Sequence, residues 1–139
     1  MSEEVPEQDH LVLLVEDRPA SAVALEMVIG TMTSVSVRIV SNGAAAWSFL
    51  QSGAGESVRA VITDLDMPLV DGMELIRRIR SSAGHADTPI IVISGTTDLN
   101  APKQALEAGA NAFFSKPWSS ARVCATLEQL LYAKNAKRH

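Results

Sequence analysis

A parallel α/β sheet with helices on both faces is the fold class this sequence predicts, and three observations predict it. Short apolar runs alternate five times with helical patterns of about 10–15 residues, the signature of repeated βαβ crossovers. Several runs are continuously apolar, as strands covered on both faces must be. Four of them end on a polar or charged residue: residues 11–15 run into Glu16-Asp17, 60–63 into Asp64, 90–93 into Ser94, and 111–115 into Lys116-Pro117. In a parallel sheet these endings meet at the carboxyl edge, where open α/β sheets bind ligands.

Each element has its own local signal. The first strand, 11–15, is followed by Pro19, which suits a first helical turn, and a helix can run from there to Gly30. Residues 35–40 are β-branched and make the second strand; Ser41-Asn42-Gly43 turns the chain into an Ala-rich helix over 44–51 with Trp47 and Leu50. Residues 52–55, Ser-Gly-Ala-Gly, read as a loop before the third strand, 60–63. A helix over 73–80 carries Leu75, Ile76 and Ile79 on one face and Arg77 and Arg78 opposite. Pro89 precedes the fourth strand, 90–93. The next helix, 99–108, contains Pro102, tolerable only in its first turn, and stops at Gly109. After the fifth strand, 111–115, a last helix over 119–132 repeats Val123, Leu127, Leu130 and Leu131 along one stripe.

At 139 residues with 47% hydrophobic content, the chain is one domain with a core of its own, burying roughly 68% of its unfolded surface. No apolar run approaches the ~20 residues of a membrane span, and the first residues lack a signal-peptide plan, so neither membrane insertion nor export is expected. Cys124 is the single cysteine, which excludes an internal disulfide and a thiolate metal cluster. A soluble, cytoplasmic protein follows. Acids outnumber bases 16 to 12, and Glu3, Glu4, Glu7 and Asp9 account for the excess. Residues 1–9 read as a disordered acidic tail, 10–133 as the folded domain, and 134–139, with Lys134, Lys137 and Arg138, as a frayed basic tail. No basic stripe marks the fold, so direct nucleic-acid binding is not expected.

The predicted edge collects Glu16, Asp17 and Asp64. Carboxylates crowded together disfavour one another's ionisation, and a hard divalent cation with oxygen ligands relieves that cost. Lys116 adds an ammonium that can neutralise an anion the carboxylates cannot. Ser94 adds a hydroxyl, with Gly95 leaving room beside it. Taken singly, each has a plainer reading: Asp64 as a turn aspartate, Glu16-Asp17 as an acidic loop, Lys116 as a solvent-facing charge. Together they suit a divalent cation and a phosphoryl group.

The motifs are Leu14-Val15-Glu16-Asp17, Val61-Ile62-Thr63-Asp64-Leu65-Asp66-Met67-Pro68, Val70-Asp71-Gly72-Met73-Glu74-Leu75, Pro89-Ile90-Ile91-Val92-Ile93-Ser94-Gly95 and Glu107-Ala108-Gly109-Ala110, the last leading to Phe113-Phe114-Ser115-Lys116-Pro117-Trp118. In this order and spacing the chain strongly resembles the receiver domains of two-component response regulators, over roughly residues 10 to 133. The resemblance implies a flavodoxin-like (βα)5 fold with strand order 2-1-3-4-5. It implies Asp64 as phosphoacceptor, Mg²⁺ (or Mn²⁺) held by Asp17, Asp64 and the backbone carbonyl of Asp66 with Glu16 acting through water, and Lys116 on a phosphoryl oxygen. Ser94 and Phe113 would be the switch pair, Phe113 standing where tyrosine is common, and the Lys116-Pro117 bond would be cis. The Asp66 side chain falls where the family tunes phosphoryl lifetime.

The implied donor is a phosphohistidine on a sensor histidine kinase or a histidine phosphotransfer protein, and the first helix, with apolar positions left over, is the place where receivers dock such helices. The domain would catalyse its own phosphorylation and dephosphorylation without being a turnover enzyme. Signalling would pass through the surface of the fourth helix, fifth strand and fifth helix to a protein target, with room for a phosphorylation-dependent dimer. No DNA-binding output domain is in the sequence. Two rival readings exist: a haloacid-dehalogenase-like phosphatase using Asp64 and Asp66, against which its second acidic pair after the lysine is missing, and a receiver-like binding module that is never phosphorylated, against which the full acidic, hydroxyl and lysine set stands.

Overall fold

The computed structural model describes residues 10–67 and 69–137, with side chains as far as 132. Its strands are β1 (His10–Val15), β2 (Val35–Val40), β3 (Val58–Thr63), β4 (Ile90–Ser94) and β5 (Ala112–Ser115). All neighbours pair in parallel, in the order β2-β1-β3-β4-β5. The helices are α1 (Pro19–Ile29), α2 (Gly43–Gln51), α3 (Gly72–Ser81), α4 (Ala101–Ala108) and α5 (Ser120–Lys137). This is the expected doubly wound, flavodoxin-like arrangement.

Period-two alternation in the strands sorts the core into two layers. Leu13, Val15, Val61 and Val92 face one way, onto Leu50 of α2, Leu75, Ile76 and Ile79 of α3, and Ala101 and Ala105 of α4. Val12, Leu14, Ile62, Ile91 and Ile93 face the other way, onto Leu25 and Ile29 of α1 and Val123, Leu127 and Leu131 of α5. Both faces are therefore buried, which is why β1, β3 and β4 read as unbroken apolar runs.

Several boundaries differ from the sequence reading for local reasons. Residues 53–57 form a short 3-10 turn, Gly53–Ser57, where a plain loop was expected; the Ser52 hydroxyl accepts from Gly55 N at 3.3 Å and starts it. Helix α4 begins at Ala101 rather than 99, because Pro102 must lie in the first turn; Leu99 is left 93% exposed in the preceding loop. Helix α5 continues to Lys137, past the expected end at 132, since neither Gly nor Pro interrupts its Ala- and Lys-containing end. The backbone of 134–137 is thus helical where a frayed tail was expected, while residues 1–9, Pro68 and 138–139 lie outside the described residues.

Two glycines are dictated by their surroundings. Gly109 ends α4 at φ 126°, a backbone state that side chains resist. A Cβ on Gly72 would overlap the carbonyl oxygen of Asp64, so only glycine lets α3 start directly under the end of β3. At α2, the Asn42 side chain accepts from Ala45 N at 2.7 Å. Asn42→Ala should cost about 1 kcal/mol of stability by urea denaturation, a cap loss with no core change.

Candidate functional site

The carboxyl edge gathers the expected groups. Glu16 follows β1, its amide bonded to Val40 O at 3.0 Å, and Asp64 follows β3, its amide bonded to Val15 O at 3.2 Å. The two central strands therefore deliver their carboxylates side by side. Oxygen atoms of Glu16, Asp17 and Asp64 lie within 4.8 Å of one another, the one such acidic or metal-ligating cluster among the described residues. Glu16 is 3% and Asp64 7% exposed.

Lys116 closes the group from the end of β5. Its Nζ donates to Asp64 Oδ2 at 3.0 Å and to Glu16 Oε1 at 3.2 Å. The Lys116-Pro117 bond is cis, as expected. Backbone donors hold the rest of the carboxylates: Asp64 Oδ1 accepts from Leu65 N at 2.6 Å and Asp66 N at 3.3 Å, and Glu16 Oε2 accepts from Arg18 N at 3.2 Å.

Burial, opposed by the Arg18 amide and reinforced by the charge of Asp64, raises the Glu16 pKa above the ordinary carboxylate value despite the nearby ammonium. Burial also works against the Lys116 charge, but the hydrogen bond and charge of Asp64, then of Glu16, outweigh it and hold Lys116 above the usual lysine value. This is a site of excess negative charge partly neutralised by one ammonium. Three hard oxygen donors from carboxylates, two of them buried, fit a divalent cation such as Mg²⁺.

Ser94, fully buried at the end of β4, hydrogen-bonds not to a carboxylate but to its own loop: its Oγ accepts from Thr96 N at 3.2 Å. A Cβ on Gly95 would meet the Lys116 side chain at 3.6 Å, an ordinary contact, so room beside Ser94 does not require glycine. Phe113 is half-buried against the α2–α3–α4 core layer. The Asp66 side chain is exposed and lines a cleft of about 460 Å³ with Met67, Asp71, Met73, Thr96 and Asp98.

Residues 12–128 match the family profile of the response regulator receiver domain. The chain belongs to that family. The receiver domain is 28% identical over 120 residues to a chemotaxis protein CheY homolog of Campylobacter jejuni, covering 86% of this chain and 91% of that protein. It is 26% identical to response regulator Rre1 of Synechocystis, of which it spans only 53%. Among solved structures, a putative response regulator from Chloroflexus aurantiacus superposes with a TM-score of 0.82 at 26% identity, covering 90% of this chain and 99% of that one. The Mn²⁺-bound form of response regulator Rcp1 superposes at 0.70 with 27% identity, covering 77% and 81%.

Two features of the receiver domain escaped the sequence reading. One is a series of short polar residues at every second position, Ser94, Thr96, Asp98 and Asn100, each of the first three accepting from the backbone two residues on; the alternation is visible in the sequence, but it falls between the fourth strand and the next helix, where no period is expected. The other is Arg80, at the end of α3, which burial pulls below the usual arginine value with Asp87 opposing. Its partners are 5 to 31 residues away, which no local pattern reveals. Among the described residues no helix is long and apolar enough to cross a membrane.

Proposed function

We propose that this receiver domain takes a phosphoryl group on Asp64 from a phosphohistidine and signals through protein contact. The observation that carries this is the buried Asp64 carboxylate held between two backbone amides and Lys116, beside Glu16 and Asp17. An Asp64 oxygen attacks phosphorus, the phosphorus–nitrogen bond of the donor breaks, the imidazole leaves with the electron pair, and an acyl phosphate forms. Lys116 then shifts from the Asp64 carboxylate to a phosphoryl oxygen. Asp17, Asp64 and the Asp66 carbonyl would hold a divalent cation, with Glu16 acting through water, and its charge would screen the repulsion between the two anions. The likeness to Rcp1, solved with Mn²⁺, supports a cation here. Ser94 and Phe113 serve as the switch pair.

The donor surface is α1. Val23 is 50% and Met27 69% exposed, and a groove lined by Ala20, Ser21, Ala24, Pro117 and Trp118 leads to Lys116. A helix of a histidine kinase or phosphotransfer protein fits there with its histidine facing Asp64. Val23→Glu with Met27→Glu should slow transfer from the protein donor about tenfold or more while leaving acetyl phosphate labelling intact. Equal losses with both donors would mean the change acted on the site and not on docking.

A phosphotransfer profile against candidate kinases and phosphotransfer proteins, with magnesium or a chelator, tests the reading. Labelling that depends on the cation and stops at one phosphoryl group per chain supports it. Continuous turnover of a generic phosphate ester would overturn it in favour of the phosphatase; no labelling under any condition would favour a module that is never phosphorylated. The family assignment already argues against the phosphatase.

A further inference from the structure

We propose that the groove between α2 and α3 is the docking site for the acidic segment that precedes β1, residues 1–9 of this chain. The contact is separate from the carboxyl-edge site and does not depend on whether Asp64 is phosphorylated.

The groove, about 430 Å³ in volume, combines one aromatic wall with two guanidinium groups. Trp47 of α2 is half-buried, and the Arg78 guanidinium of α3 lies 6.0 Å from the centre of its ring. Arg77 stands next to it on the same helix. The Arg77 side chain is 62% and the Arg78 side chain 39% exposed, so both charges remain open to solvent. Glu74 is the acid among the lining residues, 3.1 Å from Arg78 and 3.9 Å from Arg77. One carboxylate shared by two guanidinium groups leaves a net positive charge, and ion pairs this exposed are weak enough to exchange partners.

Residues 1–9 supply the complement. Glu3, Glu4, Glu7 and Asp9 place four carboxylates in that segment with no lysine or arginine, while acids and bases balance over the rest of the chain. Between the acids stand Val5 and Pro6, an apolar pair suited to the face of an indole.

The attachment point brings the segment to the open end of the groove. Each crossover helix returns the chain to the edge where the strands start, so α2 and α3 end, at Gln51 and Ser81, on the edge where β1 begins. Both of those residues line the groove. From Gln51 the short turn Gly53–Ser57 leads straight to Val58, which is the sheet partner of Leu11. Trp47 and Arg77 lie one turn back from those helix ends, about 6 Å further in. Nine residues extend up to roughly 30 Å, enough to pass from His10 along the whole groove. A tethered segment meets its site at an effective concentration on the order of millimolar, so contacts too weak to hold a free peptide still hold this one. The cavity that His10 itself lines carries Glu128 and, among the described residues, no lysine or arginine, so its charge repels the same segment. Seated against α2 and α3, residues 1–9 keep that flank from other acidic partners until salt or a stronger competitor displaces them.

Paramagnetic broadening in the full chain tests this. A nitroxide attached through Ser2→Cys, in a Cys124→Ser background, should cut the Trp47 indole N–H peak and the amide peaks of residues 77–81 to about half or less, and about 0.5 M salt should restore them. Arg77→Gln with Arg78→Gln should restore them too, whereas Lys134→Gln with Lys137→Gln should not. With no label, Glu3→Gln, Glu4→Gln, Glu7→Gln and Asp9→Asn together should move the Trp47 indole resonance to where high salt puts it in the wild type, and leave Trp118 unmoved. Peaks at full intensity in low salt, or broadening that survives the arginine changes, would overturn the docking. So would broadening abolished by the Lys134 and Lys137 changes, which would place the segment against the end of α5.

Discussion

Asp64→Asn is expected to reduce phosphoryl labelling by roughly a hundredfold or more while leaving the fold intact, because the substitution removes the nucleophilic anion and almost nothing else. The amide oxygen can still accept from Leu65 N and Asp66 N, which now hold Oδ1. Lys116 keeps Glu16 as a partner at 3.2 Å. Labelling by acetyl phosphate and by a cognate phosphohistidine protein, each followed by intact-mass measurement, checks the result, with circular dichroism as the control for folding. Equal labelling of the variant and the wild type would place the acceptor elsewhere.

Lys116→Met should have the larger effect on stability. It removes the ammonium and leaves Glu16 and Asp64, with side chains 2% and 7% exposed, facing each other. Orphaning buried charges costs about 3–5 kcal/mol; the lower end applies here, because the lysine side chain is itself 23% exposed. The loss should depend on pH with a defined sign. The Glu16 pKa is raised on folding, chiefly by burial, so the folded state binds the proton more tightly than the unfolded chain does. That contribution is present in full below the unfolded value near 4.5 and is lost as pH rises through the folded one. Without Lys116 the folded value rises further. The deficit of the variant should therefore be greatest near neutral pH and shrink as the solution is made mildly acidic. Excess magnesium should shrink it as well. Urea denaturation with chelator or magnesium at both pH values measures all of this, and a deficit indifferent to both would mean that the lysine contributes only packing.

Much of this site was legible because parallel topology turns strand endings into neighbours. Glu16, Asp64, Ser94 and Lys116 stand at the ends of four apolar runs, so finding the runs was enough to bring the residues to one edge. The core was legible for the same reason: Leu75, Ile76 and Ile79 show their face by helical period. What stayed hidden depends on contacts between distant parts of the chain. Nothing in the sequence near Arg80 tells that it reaches the carbonyl of Gly109, and nothing near Ser94 tells that its hydroxyl rests on Thr96 N. The start of α4 is set by Pro102 and the Asp98 turn, which leave Leu99 exposed in the preceding loop instead of in the helix. The length of α5 was underestimated because its last turns are polar, and polarity without a breaker does not end a helix.

The two core layers have one more consequence. Helix α1 packs on one side of the sheet and α4 on the other, so a donor seated over Val23 and Met27 leaves the opposite flank uncovered. On the proposed reading, donor recognition would lie apart from α4 but beside α5, which shares the α1 side of the sheet, so substitutions on α4 would be free to accumulate without disturbing the donor.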